Sequence, residues 1–217
     1  MEETIDISKS RIFNDLVEYT NLPRNQVLQK CASSEKELVD LWNKKQNILD
    51  FYKNSDLYLF DLTKYQLILE HNNKIKEMIK QIKELKLNKI LEYGGGIGEF
   101  SLLCCENKFS ISYYDLDGKV RDYALWRFKK HNCEEINIKN ESCLDEEWDV
   151  VNIMDVLEHL ENPNEIILKL KEKARYIFCN PFEIKYNKLC PQHISKFDLS
   201  KDFEQINNYL WKNKYKL

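Results

Sequence analysis

Four of the five glycines of this chain stand within five consecutive positions, in the stretch KILEYGGGIGEF. They are Gly94, Gly95, Gly96 and Gly98. Apolar residues at 90 and 91 precede them and apolar residues from Phe100 follow, which predicts a buried strand, a tight turn and a helix. A glycine-rich turn lets a ligand approach the backbone, because no Cβ stands in the way. The helix start adds free N–H groups and the positive end of a dipole, so the stretch predicts a binding site.

The spacing of the glycines limits the kind of ligand. The dinucleotide fingerprint G-x-G-x-x-G, counted from Gly94 and Gly96, needs a glycine where the chain has Glu99, which disfavours a nucleotide-dependent oxidoreductase. The remaining pattern, E-x-G-x-G-x-G from Glu92, resembles the first motif of the class I methyltransferases that use S-adenosylmethionine (SAM). In that family the backbone of the turn lies against the methionine and ribose parts of SAM. The resemblance implies these cofactor-binding residues: Glu92, Tyr93, Gly94, Gly95, Gly96 and Gly98.

The second predicted strand ends in YYDLDG, and its first acid, Asp115, stands seventeen residues after Gly98. By itself, an aspartate shortly before a glycine is more often a turn former. An acid at this distance from the glycine turn can accept hydrogen bonds from both hydroxyls of a ribose. The resemblance implies that Asp115 binds the ribose and that Leu116 packs on the adenine, with Asp117 as a second candidate for the acid.

The third predicted strand is followed by Asn140, Glu141 and Ser142. Class I methyltransferases usually carry an acid near this point that contacts the amino group of adenine. Glu141 matches that acid, and Ser142 would supply a backbone contact. Acidic residues occur throughout this loop, so a solvated loop without a ligand is an equally good interpretation.

The stretch DVVNIMDVLEHLENP resembles the fourth motif of the family, in which a buried strand ends beside the reactive methyl group. Together with the glycine turn it is the most specific signal in the chain. The resemblance implies that Met154 and Asp155 line the methionine end of SAM. His159 could act as a general base, since imidazole titrates near neutral pH. A structural role for His159 is favoured, because the family often has this histidine where no proton is removed.

The loop after the fifth predicted strand, residues 180–197, is expected from the resemblance to help build a substrate pocket. Its candidates are Phe182, Tyr186 and His193, and His193 is also a second candidate for a catalytic residue. Tyr58 and Tyr65 belong to an aromatic segment before the glycine turn. One of these two rings either closes over the site or simply packs the N-terminal part of the chain on the rest.

Length and composition exclude several classes of protein. The chain has 217 residues and a net charge of −3, so it is one domain, or one with an appendage, and no nucleic-acid partner is expected. No apolar run approaches the roughly 18 residues of a membrane span, and the polar N-terminus is not a signal peptide. Seven scattered cysteines indicate a reducing, cytoplasmic location, with Cys104 and Cys105 as small hydrophobes. Cys179, Cys190 and His193 match no standard zinc spacing, so no metal site is predicted.

Strands alternate with helices after the glycine turn, and helical spacing dominates before it. This order predicts an α/β fold: a Rossmann-like, mostly parallel sheet with helices on both faces and a helical N-terminal cap. The predicted divisions are a cap over 1–50, a connecting aromatic segment and helix over 51–87, and a SAM-binding core over 88–217. Ser33–Glu37 reads as a capping box that starts a new helix.

The C-terminal end predicts one of three things: a shortened sheet, a fragment of a longer chain, or a partner that covers the sheet edge. Asp202–Lys212 is expected to be a helix, which leaves room for a stub of a sixth strand and none for a seventh. An uncovered edge strand promotes association. We therefore expect a homodimer through the N-terminal cap or through the C-terminal sheet edge as one way to cover it.

These features predict a SAM-dependent methyltransferase of the small-molecule type, similar to the type 11 and type 12 methyltransferase domains over about residues 88–200. It would transfer the methyl group in line to an O, N or C nucleophile of a small-molecule acceptor and release S-adenosylhomocysteine (SAH). Much of the rate would come from proximity and orientation. The alternative is a SAM-binding regulatory or partner subunit on the same fold, without turnover of its own.

Overall fold

A computed structural model describes residues 10–45, 47–180 and 190–216, with side chains for all of these except residues 69–72. Its elements, in chain order, are α1 (Arg11–Thr20), α2 (Arg24–Lys44), α3 (Ile48–Asn54), α4 (Leu57–Gln66), α5 (Leu69–Glu84), β1 (Ile90–Tyr93), α6 (Glu99–Glu106), β2 (Ile111–Tyr114), α7 (Lys119–Lys130), β3 (Asn137–Ile138), β4 (Trp148–Asn152), α8 (Pro163–Lys173), β5 (Ala174–Phe178), β6 (Phe203–Gln205) and β7 (Leu210–Asn213). None of the described helices has the length and apolar character needed to cross a bilayer.

The strands form one mostly parallel sheet in the order β3-β2-β1-β4-β5-β7-β6. β1 to β5 pair in parallel, whereas β7 runs antiparallel to both β5 and β6. The central strands are continuous apolar runs, and Ile90, Leu91, Val150 and Val151 are fully buried. Parallel strands covered on both faces have this composition. The predicted Rossmann-like fold class is confirmed.

The C-terminal end of the chain is a hairpin, so the helix predicted over Asp202–Lys212 is wrong. Phe203, Ile206 and Leu210 recur at helical spacing, but the turn chemistry between them decides the structure. The side chain of Asn207 accepts hydrogen bonds from the amides of Tyr209 and Leu210, at 3.1 and 2.9 Å. Asparagine stabilises turns in this way. The expectation that the chain has no room for a seventh strand is also wrong, although β6 and β7 are short, with 3 and 4 residues.

α2 runs without a break through Ser33–Glu37, so the predicted helix start at this capping box is also wrong. The serine hydroxyls bond backwards along the helix instead. Ser33 donates to the carbonyl of Gln29 at 3.1 Å, and Ser34 donates to Cys31 O at 3.0 Å and to Asp61 at 2.9 Å. Serine inside a helix commonly satisfies its hydroxyl on a preceding carbonyl.

The described chain divides into two compact units. The helical unit contains the chain up to Glu77, Gly96–Glu99 and Leu116–Asn132, and the sheet unit contains Met78–Gly95, Phe100–Asp115 and the chain from Cys133. The glycine turn therefore begins in the sheet unit and ends in the helical unit. The division at 50 and 87 inferred from the sequence stays a prediction. The helical unit has its own apolar core, formed by Ile12, Phe13, Leu16, Val27, Leu59, Phe60, Ile97 and Tyr123 among others.

A buried arginine organises the polar interior of the helical unit. Arg127 has no exposed surface. Its guanidinium donates to Asp15 Oδ2 at 3.0 Å and to the carbonyl of Ile97 at 2.7 Å. It also donates to Glu99 Oε2 at 2.5 Å, and Glu99 accepts a further bond from Arg11 at 2.7 Å. A buried charge is tolerated only when it is paired and hydrogen-bonded, so this cluster joins α1, α7 and the end of the glycine turn.

We expect Asp15 to make the stability of the chain depend on pH in the acid range. Burial alone would raise the pKa of Asp15, but hydrogen bonds from His131 and Arg127 outweigh burial and lower that pKa below its usual value. A lowered carboxylate pKa stabilises the native state above the unfolded pKa, about 3.9, and this stabilisation is lost as the pH falls through the folded pKa.

Urea unfolding between about pH 2 and pH 7 measures this effect through the difference between the native chain and Asp15→Asn. The difference in the free energy of unfolding should be largest at neutral pH and shrink in the acid range. Asp56→Asn, an exposed change in the same unit, controls for the lost charge. A difference that is constant across the range would contradict the prediction.

The sheet unit contains a disulfide bond between Cys105 of α6 and Cys133. The expectation that Cys105 is a free, small apolar residue is therefore wrong, whereas Cys104 is free and buried as predicted. The pairing left no sequence signal, because the two cysteines are separated by 28 residues. Disulfides are uncommon in reducing compartments, so the bond weakens the cysteine argument for a cytoplasmic location, which stays a prediction.

Candidate active site

The parallel strands of the sheet unit bring several of the predicted cofactor-binding residues to one edge. β1 pairs with β2 on one side and with β4 on the other. The chain changes sides of β1 between β3 and β4, which makes the β1–β4 junction the switch point of the sheet. In open α/β sheets, ligands bind outside the carboxyl ends of the strands at such a point.

The first half of the glycine turn is bonded to the end of β2. The amides of Gly94 and Gly95 both donate to the carbonyl of Tyr114, at 2.8 and 3.1 Å. Gly94 has a φ of +70°, a conformation that glycine adopts without steric strain. A Cβ on Gly94 would lie 2.6 Å from Cγ2 of Val156, the residue after Asp155. The turn after β1 therefore contacts the last residue of β2 and the segment that follows β4.

Part of the motif packs against the protein itself. A Cβ on Gly95 would meet the ring of Tyr113 at 2.5 Å and the carboxyl carbon of Glu92 at 2.8 Å. The buried Glu92 carboxylate accepts hydrogen bonds from the amide of Ser101, at 3.1 Å, and from its hydroxyl. A carboxylate at a helix N-terminus is stabilised by the helix dipole. Glu92 thus connects the turn to α6, and its contact with a cofactor stays a prediction.

Gly96 and Gly98 shape the second half of the turn, which belongs to the helical unit. Their φ values are +54° and +72°. A Cβ on Gly98 would lie 2.6 Å from the ring of Phe128, whereas a Cβ on Gly96 would reach only the end of Leu62 at 3.1 Å. Gly98 is buried and Gly96 is half-buried. Packing thus requires glycine at 98, whereas an added carbon at 96 would meet only the end of one flexible side chain.

Three predicted cofactor residues follow β2. Asp115 and Leu116 are half-buried, and Asp117 is exposed and forms an ion pair with Arg121 in α7. A local pair along a helix accounts for Asp117. Asp115 directly follows Tyr114, whose carbonyl receives the glycine turn. Of the two acids, Asp115 is therefore the better placed to bind a ligand on that turn.

Two tyrosines with their rings tilted against each other end β1 and β2. The ring centroids of Tyr93 and Tyr114 are 4.8 Å apart. Burial raises the pKa of Tyr93 to about 12, and the charge of Glu141 adds to the shift. Glu141 and Ser142 are exposed in a short 3₁₀ turn, where the side chain of Asn140 accepts from the Ser142 amide at 3.0 Å. The structure brings Glu141 near the tyrosine pair, and its role at the adenine stays a prediction.

The segment after β4 has a strained backbone. Asp155 has a φ of +56°, which non-glycine residues rarely adopt. Asn180 at the end of β5 donates to Asp155 Oδ1 at 2.5 Å, and Asn152 accepts from the Met154 amide at 3.3 Å. Such conformations cost about 1 to 3 kcal/mol and cluster at functional sites. Met154 and Asp155 are both half-buried at the edge where their contact with the cofactor was predicted.

Beyond Asp155, the chain brings a carboxylate and two imidazoles together. Glu158 and His159 stand in the 3₁₀ turn Leu157–His159, and the ring centroids of His159 and His193 are 4.8 Å apart. Nδ1 of His159 is 3.2 Å from the carbonyl oxygen of Gln192. The two candidate catalytic histidines, 34 positions apart in the sequence, are thus neighbours in the structure.

Burial sets the protonation of this group. It raises the pKa of Glu158 to about 7, with the charge of Asp155 adding to the shift. It lowers the pKa of His159 to about 4, with His193 adding, and it also lowers the pKa of His193. Both imidazoles are therefore neutral near pH 7.

Two of the predicted pocket residues, Tyr58 and Tyr65, belong to the helical unit. Tyr58 belongs to the helical unit, where its ring stacks on Tyr52 at 5.5 Å and meets the edge of Phe51 at 5.6 Å. The packing alternative accounts for Tyr58. Tyr65 is half-buried in α4 of the same unit, and the pocket role of both rings stays a prediction. Phe182 and Tyr186 lie outside the described residues.

Three residues at the site were not among the predicted site residues: Val156, Glu158 and Asn180. Val156 and Glu158 stand inside the D-V-L-E-H-L stretch, so the motif already contained a signal for them. Asn180 reaches Asp155 because β4 and β5 pair in register, with Asn152 opposite Phe178. A single sequence does not give this register.

Comparison of the sequence with known families gives one match. Residues 61–207, more than half of the chain, match the family model described as a methyltransferase domain. No curated protein sequence matches the chain.

Three solved structures resemble the fold at low identity. WbdD is 16% identical with a TM-score of 0.53, over 65% of this chain and 40% of that one. Magnesium protoporphyrin IX methyltransferase (ChlM) from Synechocystis PCC 6803, solved with SAH, is 14% identical with a TM-score of 0.52, over 70% and 84%. The N-methyltransferase NodS from Bradyrhizobium japonicum WM9, also with SAH, is 12% identical with a TM-score of 0.52, over 66% and 87%. The family match covers more than half of the chain, and the sheet order agrees with it. The chain therefore belongs to the methyltransferase domain family, which confirms the predicted membership in the class I SAM-dependent methyltransferases.

Proposed function

We propose that this chain is a SAM-dependent methyltransferase that acts on an O, N or C nucleophile of a small-molecule acceptor. The observation that carries the proposal is the junction at the switch point of the sheet. There the glycine turn is bonded to Tyr114, directly before Asp115, and lies against Val156, directly after Asp155. Two carboxylates, which follow the strands on either side of β1, thus lie next to the residues that the glycine turn contacts.

The residues at this junction fit SAM by their chemistry. The carboxylate of Asp115 suits the ribose hydroxyls, and Leu116 and Glu141, with the backbone of Ser142, suit the adenine. The half-buried backbone of Gly94 and Gly96 permits close approach of the ligand. Asp155 suits the positively charged methionine end. The SAH bound in ChlM and NodS supports SAM as the cofactor for this fold.

When bound, SAM supplies an electrophilic methyl group on a positively charged sulfur. The chain orients the acceptor against the carboxyl edge of the sheet, and orientation lowers the entropy barrier of the transfer. Asp155 would place negative charge near the end of the cofactor that is cationic. His159 and His193 stay the candidates for a general base toward an acceptor hydroxyl, although burial lowers the pKa of both and so weakens them as proton acceptors.

A SAM-binding subunit without turnover is the alternative, and its support was the expected loss of C-terminal strands. β6 and β7 are both present, so that argument no longer favours it. The proposal also includes the small-molecule acceptor class and a cytoplasmic location. It further includes the lack of nucleic-acid and membrane partners, and a homodimer through the N-terminal cap or the sheet edge.

Calorimetric titration of the purified full chain with SAM and SAH, with NAD as a control, tests the cofactor. We expect micromolar binding of SAM and SAH and none of NAD. Asp115→Ala should weaken SAH binding by about tenfold to a hundredfold, because it removes charge-assisted hydrogen bonds worth about 1.5 to 3 kcal/mol each. Asp117→Ala is the matched control and should change the affinity by less than about twofold, since exposed ion pairs contribute little.

Two results would contradict the cofactor assignment: binding of NAD in preference to SAH, or a larger loss of affinity in Asp117→Ala than in Asp115→Ala. The release of SAH with a panel of hydroxyl, amine and carbon acceptors then separates an enzyme from a binding subunit. Release with any acceptor identifies turnover, and binding of SAM without release across the panel favours the subunit.

A further inference from the structure

We propose that Glu158, His159 and His193 form a binding site for a divalent transition-metal ion. One carboxylate oxygen and one nitrogen of each imidazole lie within 4.8 Å of one another. Around an ion with ligand bonds of about 2.0 to 2.2 Å, neighbouring ligand atoms are about 3 to 4 Å apart. Small side-chain rotations therefore close this group on an ion. The sequence prediction of no metal site considered only Cys179, Cys190 and His193 as ligands. The site proposed here uses a different set of donors.

The backbone holds the two parts of the site together. Glu158 and His159 stand in one 3₁₀ turn, and His193 belongs to the described segment from Cys190 onward. The amides of Ile194 and Ser195 donate to the carbonyl of Glu158 at 2.9 and 3.1 Å. The hydroxyl of Ser195 donates to the carbonyl of Leu160. The loop that carries His193 is thus bonded directly to the turn that carries the other two donors.

The orientation of His159 suits a ligand. Its Nδ1 lies 3.2 Å from the carbonyl oxygen of Gln192, an acceptor, so this nitrogen carries the proton. In this tautomer the lone pair is on the other ring nitrogen, Nε2. Histidines that bind metals almost always donate their second ring N–H to a carbonyl or a carboxylate, which fixes the tautomer and the orientation of the ring.

The charges also suit a divalent cation. Glu158 is buried beside the two imidazoles, and Asp155, three residues earlier in the same segment, supplies a second carboxylate. Two imidazoles and one carboxylate favour zinc, iron, cobalt or manganese over magnesium and calcium, which prefer oxygen ligands throughout.

The use of the ion depends on the proposed function, whereas its binding does not. Val156, two residues before Glu158, lies against Gly94 of the glycine turn. An ion at this edge would coordinate an acceptor hydroxyl and lower its pKa, so that the hydroxyl would release its proton to water at neutral pH. The oxygen would then bond to the methyl group of SAM as the bond from that methyl to sulfur breaks, and SAH would leave. An amine would lose its reactive lone pair to the ion. The ion would therefore select acceptors that are methylated on oxygen.

Titration of the purified full chain with Co²⁺, followed by calorimetry and visible absorption, tests the site. We expect one Co²⁺ per chain. Its visible absorption bands should be weak, as is typical of Co²⁺ bound by nitrogen and oxygen ligands. His193→Asn and Glu158→Gln should each weaken the binding at least about tenfold, the loss that is typical when support for a metal site is removed. His193 is half-exposed, so its replacement leaves the fold intact even if Glu158→Gln does not.

Cys190→Ser is the matched control, because the carbonyl of Cys190 accepts the amide of His193 at 3.0 Å and the thiol is outside the proposed donor set. It should leave Co²⁺ affinity unchanged within about twofold. No Co²⁺ binding, undiminished binding in His193→Asn, or the intense absorption of a cobalt thiolate would overturn the proposal. SAH titration of the same proteins separates the two proposals, since loss of Co²⁺ binding with native SAH affinity supports the metal site alone.

Discussion

Replacing Arg127 by methionine lowers the free energy of unfolding by about 3 to 5 kcal/mol, or prevents folding altogether. The change leaves two carboxylates, Asp15 and Glu99, buried without the cation that lies between them. It also removes the hydrogen bond to the Ile97 carbonyl inside the glycine turn. Removing one partner of a buried ion pair is far more damaging than removing the whole pair, because the remaining charge stays desolvated.

Urea unfolding of three variants measures this expectation. Arg11→Ala is the control at the partly exposed end of the cluster, where Arg11 also bonds Glu99, and it should cost about 1 kcal/mol. The triple variant Asp15→Asn, Glu99→Gln and Arg127→Met should recover part of the loss, because no uncompensated charge remains. Equal losses for Arg11→Ala and Arg127→Met would show that burial does not determine the effect.

Alanine at Gly98 is the second change with a large expected effect, about 2 to 5 kcal/mol. A left-handed conformation costs an alanine about 1 to 2 kcal/mol. The new Cβ would also lie 2.6 Å from the ring of Phe128, which is buried in α7 and has little room to move. Overpacking of this kind adds about 1 to 3 kcal/mol.

Gly96→Ala separates the two contributions. Gly96 also has a positive φ, but its Cβ would meet only the end of the Leu62 side chain. We expect Gly98→Ala to lose at least about 1 kcal/mol more than Gly96→Ala in urea unfolding. In a double-mutant cycle, Phe128→Leu should partly rescue Gly98→Ala, because the smaller side chain makes room for the methyl group. Additive losses would exclude the steric explanation.

The parallel half of the sheet was predictable because each strand is a short apolar run between turn signals. Ile90–Leu91 and Val150–Val151 are fully buried strands, and the glycine turn after the first of them was visible as glycine composition. The C-terminal hairpin was not predictable from spacing alone, since Phe203, Ile206 and Leu210 fit a helix equally well. There the side chain of Asn207 accepts a backbone hydrogen bond that stabilises a turn, although the spacing of the apolar residues fits a helix.

Site residues could be predicted where they stand in one contiguous motif. They could not be predicted where the fold brings together residues that are distant in the sequence. The turn after β4 stands in one stretch of sequence, so Asp155 and His159 could be named. The pairing of His193 with His159, and of Asp15 with Arg127, depends on loops and helices that return over long separations. Nor does the spacing of Arg127 indicate a buried charge, because an arginine in a helix is usually on the solvated side.

The position of β7 in the sheet has a practical consequence for how this protein can be divided. The family match ends at residue 207, inside the hairpin, although β7 is the strand that joins β6 to β5. A fragment trimmed to residues 61–207 would leave the edge of β5 open and β6 without its partner, and would also lack Asp15, the buried partner of Arg127. The segment that matches the family model is therefore shorter than the segment needed to keep both the C-terminal hairpin and the Arg127 ion pair complete.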